Sequence, residues 1–470
     1  MRVSLLTSLS LAVVGGSMMA SSQSASASAR SGLDFYDVTT VFVGENGYGG
    51  GGNDIEYYGT SGGIEGWAVA TTACNEGNIV APWYGGTTDV PVIAQQFYRY
   101  KDGRFEQIGM SWLKHSFCAV SEPGCGSCSS TGCNTLGVGC ADTYWADLNA
   151  NIDAPRSEIN ATTGEYSYPF SIAPSGPSTI RARVQLLPAD IDPSQNSGAQ
   201  YWIEGQYVEP GESIWDVQNN NASSRAVRFT STTNCTGLSP TSFRIPAVTR
   251  WADVDTNATV VQVFTDETGH GGEGVAAGLL HFGHSATANG NGNYHYEYLI
   301  HNQTSHRSVG SFSIPVPDCV SISNVEVRMP QYHSGETVEN TPWTWAHSGG
   351  MLIFSTPAHT SNNNNSGPAI RWGTMANVRF DADAAPVETD GQLGLWRSGP
   401  GAGSNVVSLK APDCEDNPCP ADMNGDGTVN VDDLLAVVAE YGTPGGDVNG
   451  DGIGDVDDIL VVLAAFGTDC

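Results

Sequence analysis

Lysine is almost missing from this sequence: only Lys101, Lys114 and Lys410 occur in 470 residues. With arginine the basic total is 19, against 50 acidic side chains, so the net charge is -31 at neutral pH. Such a surface repels nucleic acid and anionic lipid, which excludes both as partners, and it attracts cations. Long apolar runs are scarce too. Beyond the first 30 residues none is long enough to span a bilayer as a helix. There is no strand-to-helix nucleophile elbow, no H-E-x-x-H and no P-loop. The hydrolase, zinc-peptidase and nucleotide-binding classes that depend on them lose their usual support.

Charged residues make up only 15%, and 57 glycines join abundant Ser, Thr and Asn. That composition suits an extracellular β-rich protein. Residues 1–29 read as a secretory signal: Arg2, then the short apolar run LLTSLSLAVV, then SASASA with A-x-A cleavage sites ending at Ala27 and Ala29. Eleven cysteines in an exported chain imply disulfides. The cluster CAVSEPGCGSCSSTGCNTLGVGC at 118–140 contains one C-x-x-C, Cys125 to Cys128. It lacks the second pair or the histidines of a zinc site, so it reads as a disulfide-stapled loop.

From about residue 33 to 410, segments such as TVVQVFTD, NVEVRMP and AIRWGTMANVRFDAD alternate β-branched and aromatic residues with polar ones, between Gly, Pro, Asn and Asp. The pattern predicts a mainly β fold, with β-sandwich-like units at 30–245 and 246–410. In YHYEYLIH, alternation puts Tyr294, Tyr296, Tyr298 and Ile300 on one face and His295, Glu297, Leu299 and His301 on the other. His295 and Glu297, with His281 and His284 upstream, are a candidate metal cluster. The alternative is a strand with a buried tyrosine face and a polar solvent face. Trp343 and Trp345 are a candidate sugar-stacking platform. Glu158, Asp253, Asp255, Asp266, Glu267 and Glu297 are carboxylates from which an acid–base pair could be drawn, at a separation the sequence does not give.

The most informative stretch is the end, 411–470. DMNGDGTVNVDDLLAVVAEYG is followed 25 residues on by DVNGDGIGDVDDILVVLAAFG. Asp422, Asn424, Asp426, Asn430 and Asp433 align with Asp447, Asn449, Asp451, Asp455 and Asp458. These are positions 1, 3, 5, 9 and 12 of a twelve-residue loop, with Gly427 and Gly452 at position 6. Thr428 and Ile453 at position 7 offer backbone carbonyls. That is the oxygen-ligand schedule of an EF-hand-type calcium loop, so the tail is expected to take two calcium ions. Position 12 is Asp rather than Glu, and no helix enters either loop. Each loop leads into a helix, for which the sequence suggests the stripes Leu434, Leu435, Val438, Tyr441 and Ile459, Leu460, Leu463, Phe466, packed against each other.

Loop plus exit helix, in duplicate, resembles the dockerin type I module over roughly 419–470, and the ending FGTDC resembles GC-type dockerin domain-anchored bacterial proteins. The resemblance implies calcium-dependent docking to a cohesin-like or other surface receptor. Positions 10 and 11, which help choose the partner in cellulosomal dockerins, are Val431–Asp432 and Val456–Asp457 here instead of Ser-Thr. Two-fold packing of the repeats suggests a Cys419–Cys470 clasp, leaving Cys414 outside it. QFYRYKDGRFEQIGMSWLKHSFC and AIRWGTMANVRFDAD resemble uncharacterised exported β-rich bacterial proteins, which brings no activity. The expectation is a secreted or cell-surface β-rich binding protein, anchored through its tail and possessing no transmembrane segment. The alternative is an extracellular polysaccharide-active enzyme carrying the same tail.

Overall fold

The computed structural model describes residues 33–45, 52–267, 277–290, 293–414, 419–449 and 451–469. Residues 1–29, read above as a secretory signal, lie outside them. The body is mainly β, as its alternation predicts, and every sheet is antiparallel. In the N-terminal unit the largest sheet runs Arg104–Met110, Val92–Lys101, Gln200–Val208, Ala222–Ser231, Asn234–Gly237. It packs with smaller sheets built on Val38–Val43, Thr71–Asn75 and on Ile55–Ser61, Ile64–Val69. Their inward apolar residues, among them Trp67, Phe97, Ile203 and Phe229, form one core.

The turn between Ile55–Ser61 and Ile64–Val69 is Gly62-Gly63, with φ of +60° and +78°. Two successive positive φ values are what a tight hairpin needs and glycine supplies. This turn ends the stretch GTSGG (59–63), which fits the letters G-x-S-x-G; a strand follows it instead of a helix, so it is no elbow.

The C-terminal unit is a β-sandwich of two five-stranded sheets. One is ordered Thr259–Asp266, Ala277–Gly290, Asn293–Asn302, Thr374–Ala382, Ile322–Arg328. The other is ordered Thr344–Ser348, Met351–Ser355, Val309–Pro315, Pro386–Leu395, Ser404–Pro412. Between them lie Phe282, Tyr296, Tyr298, Ile300, Phe312, Phe354 and Phe380.

The tyrosine face of Asn293–Asn302 is buried as expected, but the opposite face is not open to solvent. Leu299 packs with Tyr98, Phe105, Trp251 and Met375 in a core shared with the N-terminal unit. His301 is buried beside Tyr98, with Oη to Nε2 at 3.3 Å. Glu297 meets Arg104 at 3.0 Å. Glu297 and His301 are thus partners of the other unit's strands, while His295 bonds to Asp381 on the neighbouring strand of its own sheet.

Three disulfides, Cys74–Cys125, Cys118–Cys133 and Cys128–Cys140, staple the cysteine-rich loop, as its composition predicts. Cys235 is buried and free. Cys414 bonds to Cys319, 95 residues away, tying the last body strand back to the sandwich. Cys419 is disulfide-bonded; Cys470 lies outside the described residues. No helix among the described residues is long and apolar enough to cross a membrane. The four body disulfides fit an oxidising compartment.

Candidate metal centre

In the tail the two repeats fold alike. Each loop feeds a short helix, α1 (Val431–Ala439) and α2 (Val456–Ala464). Asn430 and Asp455, at loop position 9, cap these helices. The position-12 residues Asp433 and Asp458 close the capping boxes. The loops are therefore shaped from within. Asp422 takes the amides of Gly425 (2.9 Å) and Gly427 (2.9 Å), and Asp447 those of Asp451 (3.0 Å) and Gly452 (2.7 Å). Asp433 takes Asn424 N–H (3.0 Å) and Asn430 N–H (2.8 Å); Asp458 takes Asn449 N–H (2.9 Å) and Asp455 N–H (2.6 Å). Gly427 and Gly452 hold φ of +87° and +100°, where a side chain would strain the turn.

Asp433 and Asp458 are fully buried. The amides of Asn430 and Asp455, helped by those of Asn424 and Asn449, hold their carboxyls below the usual value, so both stay ionised.

The halves are joined reciprocally. Val429, at position 8 of the first loop, donates to Thr468 O (3.0 Å) and accepts from Gly467 N–H (2.7 Å). Gly454, at position 8 of the second, donates to Thr443 O (2.8 Å) and accepts from Gly442 N–H (2.8 Å). Each loop is thus clipped to the chain that leaves the other's helix, an approximate two-fold.

The helix contact differs from the sequence reading. Val437 and Val462 are buried, with Ala421, Val429 and Val448 around them and Leu434 and Ile459 partly covered. Leu435, Val438, Tyr441, Leu460, Leu463 and Phe466 are instead about half exposed, as are Val431 and Val456. These helices are apolar on two sides, and they meet along the valine side. A second apolar face is left outward, with every member repeated 25 residues on.

The ligand schedule fits calcium in kind. Asp422, Asn424, Asp426, Thr428, Asn430 and Asp433, with their second-loop counterparts Asp447, Asn449, Asp451, Ile453, Asp455 and Asp458, offer only oxygens, the donors a hard cation takes. After Lys410 the sequence has fourteen acidic side chains and no lysine, arginine or histidine. Charge compensation must come from outside the module. Among the described residues, no three histidine, cysteine or acidic side chains gather closely enough to hold a metal as they stand. The loop carboxylates turn to backbone amides.

The body's candidates separate. His295 Nδ1 lies 2.6 Å from Asp381 and Nε2 3.3 Å from Glu297. The Glu297 hydrogen bond, then that of Asp381, lifts the His295 imidazole above its usual value against burial. A proton-retaining histidine in an ion-pair network is a poor ligand. His295 pairs across the sheet with Thr287, six residues along the strand from His281, or about 20 Å. His281 faces His301, and His284 points to the other side, where Nδ1 accepts from Lys410 N–H (3.3 Å). These four residues do not form one site.

Trp343 lies before its strand, buried, donating to Pro368 O (2.8 Å), while Trp345 is exposed; the two do not make a platform. Glu158 is held by Ser171, Asp253 by Arg250, Asp255 by Asn257 N–H, Glu267 by Thr265 and Ser305, and Glu297 by Arg104.

No protein-family model matches this chain, and no curated protein matches it. Ten chains of known structure match. One is a biofilm-associated protein B domain, at TM-score 0.11 and 9% identity over 86% of this chain and 94% of that one, a likeness too slight to carry an argument.

Proposed function

We propose that this chain is a secreted, disulfide-stapled β-rich binding protein that its C-terminal module attaches to a surface receptor in a calcium-dependent manner. The reading rests on the reciprocal clip between two similar loop–helix repeats and the duplicated apolar face they leave outward. Asp422, Asn424, Asp426, Asn430, Asp433 and the Thr428 carbonyl would hold one ion, and the matching second-loop set the other. Calcium would neutralise carboxylates that have no basic residue near them in sequence. The docking face is Val431, Leu435, Val438 and Tyr441 with Val456, Leu460, Leu463 and Phe466. A cohesin-like receptor is the partner class this face and the repeat suggest. For the body, binding is preferred to catalysis because Glu158, Asp253, Asp255, Glu267 and Glu297 are each held by structural partners of their own.

Calorimetric titration of the metal-free full chain tests the metal assignment: two calcium ions are expected per chain. Asp433→Ala is expected to abolish one, and Asp433→Ala with Asp458→Ala both. Uptake that ignores these substitutions would sink the reading.

A further inference from the structure

In a chain so acidic, arginines would be expected to sit on carboxylates, and several do. Arg156, Arg371 and Arg397 are buried and do otherwise. Arg156 Nε donates to Ser111 O (2.7 Å). Arg371 donates to Asn364 O (2.9 Å) and Gly367 O (2.9 Å). Arg397 donates to Asn364 Oδ1 (2.9 Å) and Asn364 O (3.0 Å), to Ser308 Oγ (3.1 Å) and to His306 O. All these acceptors are neutral. Arg371 and Arg397 also share one indole, 4.3 Å and 5.2 Å from the Trp396 ring. Burial pushes Arg156 down to about 10 and Arg397, with Arg371 beside it, to about 9, so both remain cations at neutral pH.

The three arginines, Tyr332, Trp372 and His306 help wall a cavity of about 10 Å³, room for a single particle of water or chloride size. Arg156 Nη2 is a buried donor with no partner, and the buried Tyr332 hydroxyl has only the Thr374 hydroxyl beside it, whose own proton goes to Arg371 O. Burial pushes the Tyr332 phenol up to about 12, so it keeps its proton. His306 is pushed down to about 4 by burial and by Arg397 and Arg371, and it adds no charge. Three carboxylates share the region, and all are occupied: Glu204, which also feels Arg156, accepts from Ala247 N–H (2.7 Å) and the Tyr98 hydroxyl (3.2 Å). Glu336 accepts from Arg156 N–H (2.9 Å) and Ser157 N–H (3.1 Å). Glu267 accepts from Thr265, Ser305 and Arg307 N–H. Ser157, Ile159 and His306 also line an open polar cleft of about 520 Å³, so only these side chains part the cavity from the cleft.

We propose that this cavity binds one small monovalent anion of chloride size, held by Arg156 Nη2 and the Tyr332 hydroxyl in the field of Arg371 and Arg397. An unpaired buried donor is costly, and so is an unbalanced buried charge. An anion answers both, whereas a water answers only the first. Arg156 precedes the C-terminal sandwich in the chain, while Arg371 and Arg397 belong to it, so the anion would clamp the two units.

The test uses the full chain. Chloride is exchanged for gluconate, too large for the cavity, at constant ionic strength, and the melting temperature of the body is followed. A saturable rise with chloride is expected. Tyr332→Phe keeps the ring and removes one donor; it is expected to raise the half-saturating chloride concentration about tenfold. Crystals soaked in bromide are expected to show an anomalous peak between Arg156 and Tyr332. A cavity holding only water in bromide, or a chloride response that does not saturate or is unchanged in Tyr332→Phe, would overturn the proposal.

Discussion

Glu204 shows how single residues at the seam are tuned. It lies on Gln200–Val208, fully buried, taking Ala247 N–H at 2.7 Å and the Tyr98 hydroxyl at 3.2 Å. Burial raises its carboxyl to about 7. A carboxyl whose folded value lies above its unfolded one adds stability at low pH and loses it as pH rises through the folded value. Its contribution is therefore full below about pH 4.5 and gone above about pH 7. Asp142, likewise raised to about 7 by burial, acts in the same sense. Glu204→Gln is expected to remove on the order of 3 kcal/mol of the change in unfolding free energy across that window, read by denaturant titration at pH 4.5 and 7. An unchanged pH slope would show that Glu204 is not the group. Arg104, which meets Glu297 at 3.0 Å and Glu326 at 3.1 Å, is a different case. Arg104→Ala leaves Glu297 buried beside only the partly exposed Arg379 and His295. A loss of about 3 kcal/mol is expected in the same titration.

At the scale of elements, the two tail helices sort by which side they bury. Val437→Ala opens a cavity in the small core, and a loss of about 2 kcal/mol in tail stability is expected. Leu435→Ala, half exposed, is expected to move tail stability by less than about 0.5 kcal/mol. Hydrogen exchange of the tail amides separates the two, and equal losses would reverse the assignment of faces. The sequence shows the repeat and the helices, and the glycines Gly442 and Gly467, at φ of +82° and +85°, follow α1 and α2 at matching places in the repeat. It does not show the buried side. VDDLLAVVA is apolar at nearly every position after the capping box, so a helical period fits two stripes equally well, and only tertiary contact chooses. Trp343 and Trp345 are misleading for a related reason. Alternation puts them on one face only if both lie in the strand, and the strand begins at Thr344, two residues past Pro342. The tyrosine face of Asn293–Asn302 was legible because its period is local. The fate of the other face was not, since Arg104, which covers Glu297, is 193 residues away.

For the whole molecule, charge and covalent ties divide the labour. The body carries four disulfides within it, including Cys319–Cys414 at its last strand, and shares buried cores between its units. The tail has a core of five buried side chains and no basic residue against its crowded acids. So few apolar groups offset little of the entropy of ordering about 50 residues, and the loop carboxylates repel one another unless a cation lies between them. If the tail takes calcium as proposed, metal binding and folding of the tail would be one equilibrium, while the body has its own. With chelator, exchange protection is expected to vanish across 419–469 and persist in Val92–Lys101 and Asn293–Asn302. Calcium is expected to restore it, and 1 M sodium chloride only in part. Salt screens the repulsion, but sodium would not gather the loop oxygens as the proposed calcium would. Tail protection that survives chelation, or that sodium restores in full, would mean the acids are a solvated surface and the loops fold without an ion.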